Sequence, residues 1–161
     1  MSETKIQDQR YLARAIDLSR HHMDNGAGGP FGALVVRDGK VLAEGWNQVT
    51  SANDPTAHAE VTAIRRACQA VNDFSLEGAT LYTSCEPCPM CLASAYWARV
   101  SRIVFANTRQ DAAEIGFDDS LIYDEIPKPI PERIIPMDHQ PSLEAKSVFD
   151  AWATKPDKVE Y

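Results

Sequence analysis

The chain has 161 residues, a formal net charge of -7 and 44% apolar residues, enough for a single domain spanning 1–161 with one full core. Its acidic balance speaks against a protein that wraps structured nucleic acid, because such proteins draw affinity from basic surfaces that displace counterions from phosphates. No apolar run of signal-peptide or membrane-spanning length occurs, so a soluble cytoplasmic protein is expected, and the four cysteines suit a reducing compartment better than a disulfide framework.

The first predicted element is an amphipathic helix over 6–23. Leu12, Ala15, Ile16 and Ser19 recur at helical spacing with Arg14, Asp17 and Arg20 between them, and Asn25-Gly26 ends it. His21 and His22 fall in its last turn, where the partial negative charge of the helix end favours cations, and they read as a solvated end rather than as metal ligands. The glycine-rich stretch 27–32 lacks the Lys and Ser/Thr that complete a phosphate loop. Within it, Phe31 reads equally as a core aromatic or as a ring that stacks on a flat substrate. Two strands, 33–37 and 41–45, follow around the hairpin signal Asp38-Gly39. Asn47 comes just after the second, either as a turn residue or as a side chain that offers a donor and an acceptor to the edge of a heterocycle.

From His58 to Val71 the apolar stripe Val61, Ile64, Cys68, Val71 predicts a helix with Arg65 and Arg66 facing water. His58 and Glu60 lie in its first turn. A buried strand over 79–83 leads to Pro87-Cys88-Pro89-Met90-Cys91, where a proline near the first helical position opens another helix. Cys88 and Cys91 are three apart, so both sulfurs lie on one face of that first turn, among exposed backbone N–H groups that favour thiolates. An imidazole and two thiolates form a ligand set suited to Zn2+, and an ion held by only three side chains keeps a fourth position for water, which is a catalytic count. Glu60, two residues from His58, is placed to move a proton to or from that water and reads as a shuttle rather than a ligand. A closed structural zinc site would need a fourth nearby Cys or His. Cys68 is absorbed by the helix stripe, and Cys85 is expected to be a packed strand end. A redox C-x-x-C would leave His58 and Glu60 without a role.

A strand over 102–107 continues the alternation of strands and helices, which implies an α/β domain with helices on the sheet's faces. A short helix over 108–115 ends at Gly116, and Phe117-Asp118-Asp119-Ser120 then sets two carboxylates in a loop. Either one caps the helix that follows, or one accepts hydrogen bonds from the N–H edge of a purine. Ile134 and Ile135 suggest a last strand. Leu143, Val148, Phe149 and Trp152 mark a helix over 142–153, and the tail 154–161 is polar.

The spacing H-x-E…P-C-x-x-C, here His58-Ala59-Glu60 and Pro87-Cys88-Pro89-Met90-Cys91, is the signature of the zinc nucleobase deaminases, and the chain resembles the cytidine deaminase superfamily. Gly29-Pro30-Phe31-Gly32-Ala33, Gly116-Phe117-Asp118-Asp119-Ser120 and the terminal Glu160-Tyr161 extend the likeness over nearly the whole chain to that superfamily's bacterial guanine deaminases. The resemblance implies a cytidine deaminase-like α/β fold, a three-layer α/β/α sandwich around a mixed five-stranded sheet. It also implies a homodimer whose C-terminal segment, 154–161, acts as a lid or swapped segment. Zn2+ would be held by His58, Cys88 and Cys91, with Glu60 and Asp119 catalytic and Phe31, Asn47, Asp119 and Tyr161 contacting a free purine base. No nucleic-acid or membrane partner is expected. Rival readings are a tRNA adenosine deaminase, a deaminase of guanosine, cytosine or a triazine amine, and a zinc-stabilised scaffold without catalysis, which would have no need of Glu60.

Overall fold

In the computed structural model, which describes residues 2–161, the chain forms two compact units, one ending at Ser120 and one spanning Leu121–Tyr161. The first unit opens with α1 (Glu3–Asp24), whose first turn is capped by the Ser2 hydroxyl. Strands β1 (Gly32–Arg37) and β2 (Lys40–Trp46) follow as an antiparallel hairpin. Asp38 and Gly39 both take positive φ, 52° and 71°, the conformation that a two-residue turn needs to match the strands' twist.

A short helical turn, α2 (Val49–Ala52), leads to α3 (Ala59–Val71), β3 (Thr80–Cys85), α4 (Pro89–Trp97) and β4 (Arg102–Asn107). The strand order is β2-β1-β3-β4, with β3 antiparallel to β1 and parallel to β4. β1 is central and its residues alternate between two cores. Ala33 and Val35 join Ala63, Ala67, Leu76, Leu81 and Ala95 on the side of α3 and α4; Leu34 and Val36 join Ala15 and Tyr82 on the side of α1. Both faces of the sheet are therefore covered, which makes the three-layer α/β/α sandwich. Each of the fully buried Leu34, Leu76 and Leu81 contributes about 1.5–3 kcal/mol of burial free energy. Where α3 crosses β2, a Cβ on Gly45 would lie 2.3 Å from the Ala59 carbonyl oxygen, so only glycine permits that approach.

An ionic knot ties the layers together. Arg102 of β4 makes a two-pronged bond to Asp8 of α1 at 2.9 and 2.6 Å, and the Tyr82 hydroxyl donates to the same carboxylate at 2.7 Å.

Three expectations need correction. The inward face of α1 uses Leu18 with Ala15 and Ser19, whereas Ile16 is exposed, because α1 lies on the sheet with its Tyr11–Leu18 flank inward. Among the described residues the sheet has four strands, not five. Ile134 and Ile135 are irregular because Pro129, Pro131 and Pro136 surround them, and proline both removes ladder donors and restricts the residue before it. Arg66, expected in water, is half-buried and bonded.

The first unit ends with α5 (Arg109–Glu114), closed at its start by a capping box between Thr108 and Asp111. α6 (Ser120–Glu125) begins on the last residue of the first unit, and the second unit holds the rest of it, a 3-10 turn at Ile130–Glu132 and α7 (Leu143–Thr154), capped by the Ser142 hydroxyl. Glu125 holds the connecting loop by accepting from Lys128 and from the Ile134 N–H. No helix among the described residues is long and apolar enough to cross a membrane.

Candidate active site

His58 and Cys88 occupy equivalent places. Each is the N-cap of its helix, α3 and α4, with extended backbone and a side chain that makes no capping bond. Their side chains are thus free to turn towards each other where two helix N-termini meet. Cys91, one turn into α4, completes the group. His58 Nδ1 lies 3.6 Å from Cys88 Sγ and 3.5 Å from Cys91 Sγ, and the three ligand atoms all fall within 4.8 Å of one another. A tetrahedral zinc with ordinary Zn–S and Zn–N bonds sets sulfur and nitrogen roughly 3.6 Å apart, so the residues fit the ion without rearrangement.

The electrostatics of the triangle point the same way. The Cys88 thiol is pulled down to about 4, first by the hydrogen bond from Cys91 and then by His58, against the opposing effect of burial. His58 is correspondingly raised by its bond to Cys88, while Cys91 is pushed up because it donates to the Cys88 sulfur. The shifts show that the three groups compete for protons at one spot, and a bound cation would take the place of those protons.

Glu60, in the first turn of α3, is buried, with Oε2 3.4 Å from Cys91 Sγ. Burial pushes its carboxyl up, a setting that suits a group required to accept and return a proton. Cys85 is also buried, but its thiol donates to the Thr108 carbonyl at 3.6 Å, and burial pushes it to about 11. It stands outside the metal-ligating group.

The two acidic residues after β4 separate in role. Asp118 accepts from the Ser120 N–H at 2.9 Å and caps the turn, which lowers its carboxyl. Asp119 is half-buried, and its carboxyl is raised by burial and then by the negative charge of Cys88. It therefore lies within electrostatic reach of the triangle. Phe117 packs edge-on against Phe31, ring centroids 4.9 Å apart at 90°, a contact that the sequence pattern did not indicate.

Asn47 is buried and held on three sides. Its N–H donates to the Phe31 carbonyl at 3.1 Å, and its Oδ1 accepts from the Gly29 and Val49 N–H groups, both at 3.2 Å. With the oxygen committed to two backbone donors, the amide NH2 is the end left for a ligand. Gly28 makes this possible, since a Cβ there would lie 2.4 Å from both the Asn47 carbonyl and its Oδ1. Gln48 donates its N–H to the Ala57 carbonyl at 2.9 Å, which ties Asn47 to the segment that ends in His58. The first unit thus brings together His58, Glu60, Cys88 and Cys91 by contact, and Phe31 with Asn47 by the Phe31 carbonyl; Asp119 belongs to the same unit. Tyr161 belongs to the second unit, where it is 72% exposed.

Residues 5–107 match the family described as the cytidine and deoxycytidylate deaminase zinc-binding region, and the chain belongs to that family. His58, Cys88 and Cys91, the group able to hold a metal ion, fall within the matched zinc-binding region. Among individual relatives, guanine deaminase of Bacillus subtilis is 52% identical over 153 residues, covering 95% of this chain and 98% of its own. The X-ray structure of guanine deaminase from Bacillus subtilis superposes with a TM-score of 0.93 at 50% identity, covering 100% of this chain and 99% of that one. A tRNA-specific adenosine deaminase of Agrobacterium fabrum is 46% identical over 89 residues, but these cover only 54% of this chain and 59% of the relative.

Proposed function

We propose that this chain is a guanine deaminase, hydrolysing guanine to xanthine and ammonia with one Zn2+ per subunit. The observation that carries the reading is the triangle of His58, Cys88 and Cys91 with the buried Glu60 against it, and we read the half-buried Asp119, which leaves the Ser120 N–H to Asp118, as the carboxylate that meets the base. It lies beyond residue 107, where the family match ends, in the part of the chain over which the likeness to guanine deaminase continues.

Zinc, when bound by His58, Cys88 and Cys91, supplies an activated water at neutral pH. Glu60 would take one proton from the water as its oxygen bonds to C2 and pass it to N3, then move the proton of the new C2 hydroxyl to the 2-amino group, so that the C2–N bond breaks, ammonia leaves and the C2 carbonyl of xanthine remains. Water and guanine are consumed, and xanthine and ammonia are formed. Asp119 accepts from the N–H groups of the base at N1 and the amino group. Adenine presents an acceptor at N1, so it would leave this carboxylate unpaired, which disfavours it on the order of a few kcal/mol. The Asn47 NH2 donates to an acceptor on the base, and Phe31, braced by Phe117, stacks on its face.

The chain works as a single deaminase domain over 1–161 and as a homodimer, with 154–161 crossing to the partner or folding back as a lid whose Tyr161 covers the base. Supporting this, the second unit exposes Ile135, Leu143, Val148 and Phe149 at 64–84%. It also carries a groove of about 410 Å³ lined by Leu121, Ile122, Ile126, Ile134, Ile135 and Met137 together with Glu125 and Arg133, a mostly apolar surface of a kind that marks an interface. Four unpaired cysteines fit a cytoplasmic enzyme, and the net charge of -7 favours a free base over a nucleic acid.

The test is ammonia release by the zinc-loaded protein over guanine, guanosine, adenine, cytosine, cytidine and an adenosine-containing tRNA anticodon stem-loop. Guanine turnover with the RNA untouched is expected; turnover of the RNA alone overturns the reading. Light scattering reports the dimer. Deleting Lys158–Tyr161 should raise KM for guanine, and unchanged kinetics would remove the lid.

A further inference from the structure

Arg66, in the middle of α3, reaches round the free edge of the sheet. Its Nη1 donates to the Glu44 carbonyl at 2.9 Å, and its Nη2 donates to Gln48 Oε1 at 3.2 Å. The guanidinium also sits 4.2 Å from the centre of the Trp46 ring. These three contacts fall at alternate positions of β2 and its continuation, 44, 46 and 48. Trp46 is in turn stacked flat on His22 of α1, 3.7 Å between centroids at 4°, and Glu44 pairs with Arg14 of the same helix. Gly45, between two of the three, presses directly on α3. One side chain therefore fastens the end of an edge strand to the helix that begins at His58, with α1 closing it from the other layer.

Asn47 lies inside that bracket, between Trp46 and Gln48. Its own bonds go to the backbone of Gly29, Phe31 and Val49, and the neighbouring Gln48 N–H reaches the Ala57 carbonyl just before α3; none of these bonds joins the strand end to the body of α3. An arginine can make that join, because its planar fork satisfies two acceptors in one fixed geometry and its flat face covers an indole.

We propose that Arg66 is a positioning residue for substrate recognition: it holds the Asn47 amide in register with the zinc helix, and so governs binding of the base rather than the chemical step. This rests on the reading of Asn47 as a base contact. A small displacement of a contact group is costly, and Arg66→Ala is expected to raise KM by about tenfold or more, with kcat and zinc content close to wild type.

The experiment is a double-mutant cycle on steady-state kinetics, with Arg66→Ala, Asn47→Ala and the double variant, and zinc content and Tm measured on each. If Arg66 acts through Asn47, its loss raises KM in the native background and has little further effect once Asn47 is gone. Additive losses, an unchanged KM, or a fall in kcat that follows zinc or Tm would each overturn the proposal. Should Arg66→Ala fail to fold, Gln48→Ala removes one prong while leaving the arginine in place; it should show a smaller KM rise that also vanishes without Asn47, and an unchanged KM there counts against the clamp. Gln69→Ala, at an exposed position of the same helix, is the control and should leave both constants unchanged. The cycle is run with guanine, or with whichever amine of the panel releases ammonia. Inactivity on guanine then counts against the assigned substrate, while the pattern of coupling decides on Arg66.

Discussion

Replacing Glu60 by glutamine keeps the shape of the side chain and removes its ability to carry a proton. A positioned acid-base group contributes about 10²–10⁴ in rate, or roughly 2.7–5.4 kcal/mol at the transition state. The structure places the expected loss in the upper half of that range, because Glu60 is only 6% exposed and bulk water has little room to substitute for it. The glutamine amide can still face the Cys91 sulfur, at 3.4 Å from the present carboxylate, so the triangle should keep its metal. Burial raises the Glu60 carboxyl, meaning that its ionised form is disfavoured in the fold. Glutamine fills the same buried space, so Tm near pH 7 should stay close to that of wild type. The assay is ammonia release at saturating guanine, alongside zinc content and Tm. Turnover within tenfold of wild type with zinc in place would refute the shuttle, and loss of zinc would show that Glu60 supports the metal instead.

Four further outcomes follow from the geometry. Asp119→Asn should lower kcat/KM for guanine by at least about tenfold and narrow the preference over adenine; unchanged guanine kinetics would reduce Asp119 to a loop residue. Cys85→Ala should keep one zinc per subunit by metal analysis, because its thiol is bonded to Thr108 rather than to the triangle. Gly28→Ala should raise KM with little loss of zinc, since the new methyl must displace Asn47; crystallography of the variant with Asn47 unmoved would disprove the collision. Asp8 is held below the ordinary carboxylate value of 3.8 by Arg102 and then by Tyr82. Its contribution to stability is therefore complete above that value and disappears as pH falls through the lower folded one, so the difference in Tm between wild type and Asp8→Asn should be constant near neutrality and shrink in acid.

The metal group was legible in the sequence because each half is local. Cys88 and Cys91 share one helical turn, His58 and Glu60 share another, and the prolines at Pro87 and Pro89 announce where the second helix begins. Spacing within a turn is set by backbone geometry, which residue order alone determines. The Asp38-Gly39 turn and the stripe from Val61 to Val71 were legible for the same reason. What order could not decide was which groups meet across long separations. Asp118 and Asp119 are chemically alike, and only the fold gives one to the Ser120 N–H and half-buries the other. Phe117 meets Phe31, and Gly28 makes room for Asn47, through contacts that no periodicity encodes. Arg66 sits at the margin of an apolar stripe, where helical spacing alone points it towards water. It turns inward because β2 is the sheet's edge and leaves a carbonyl, an indole and an amide within its reach, a circumstance that tertiary packing creates.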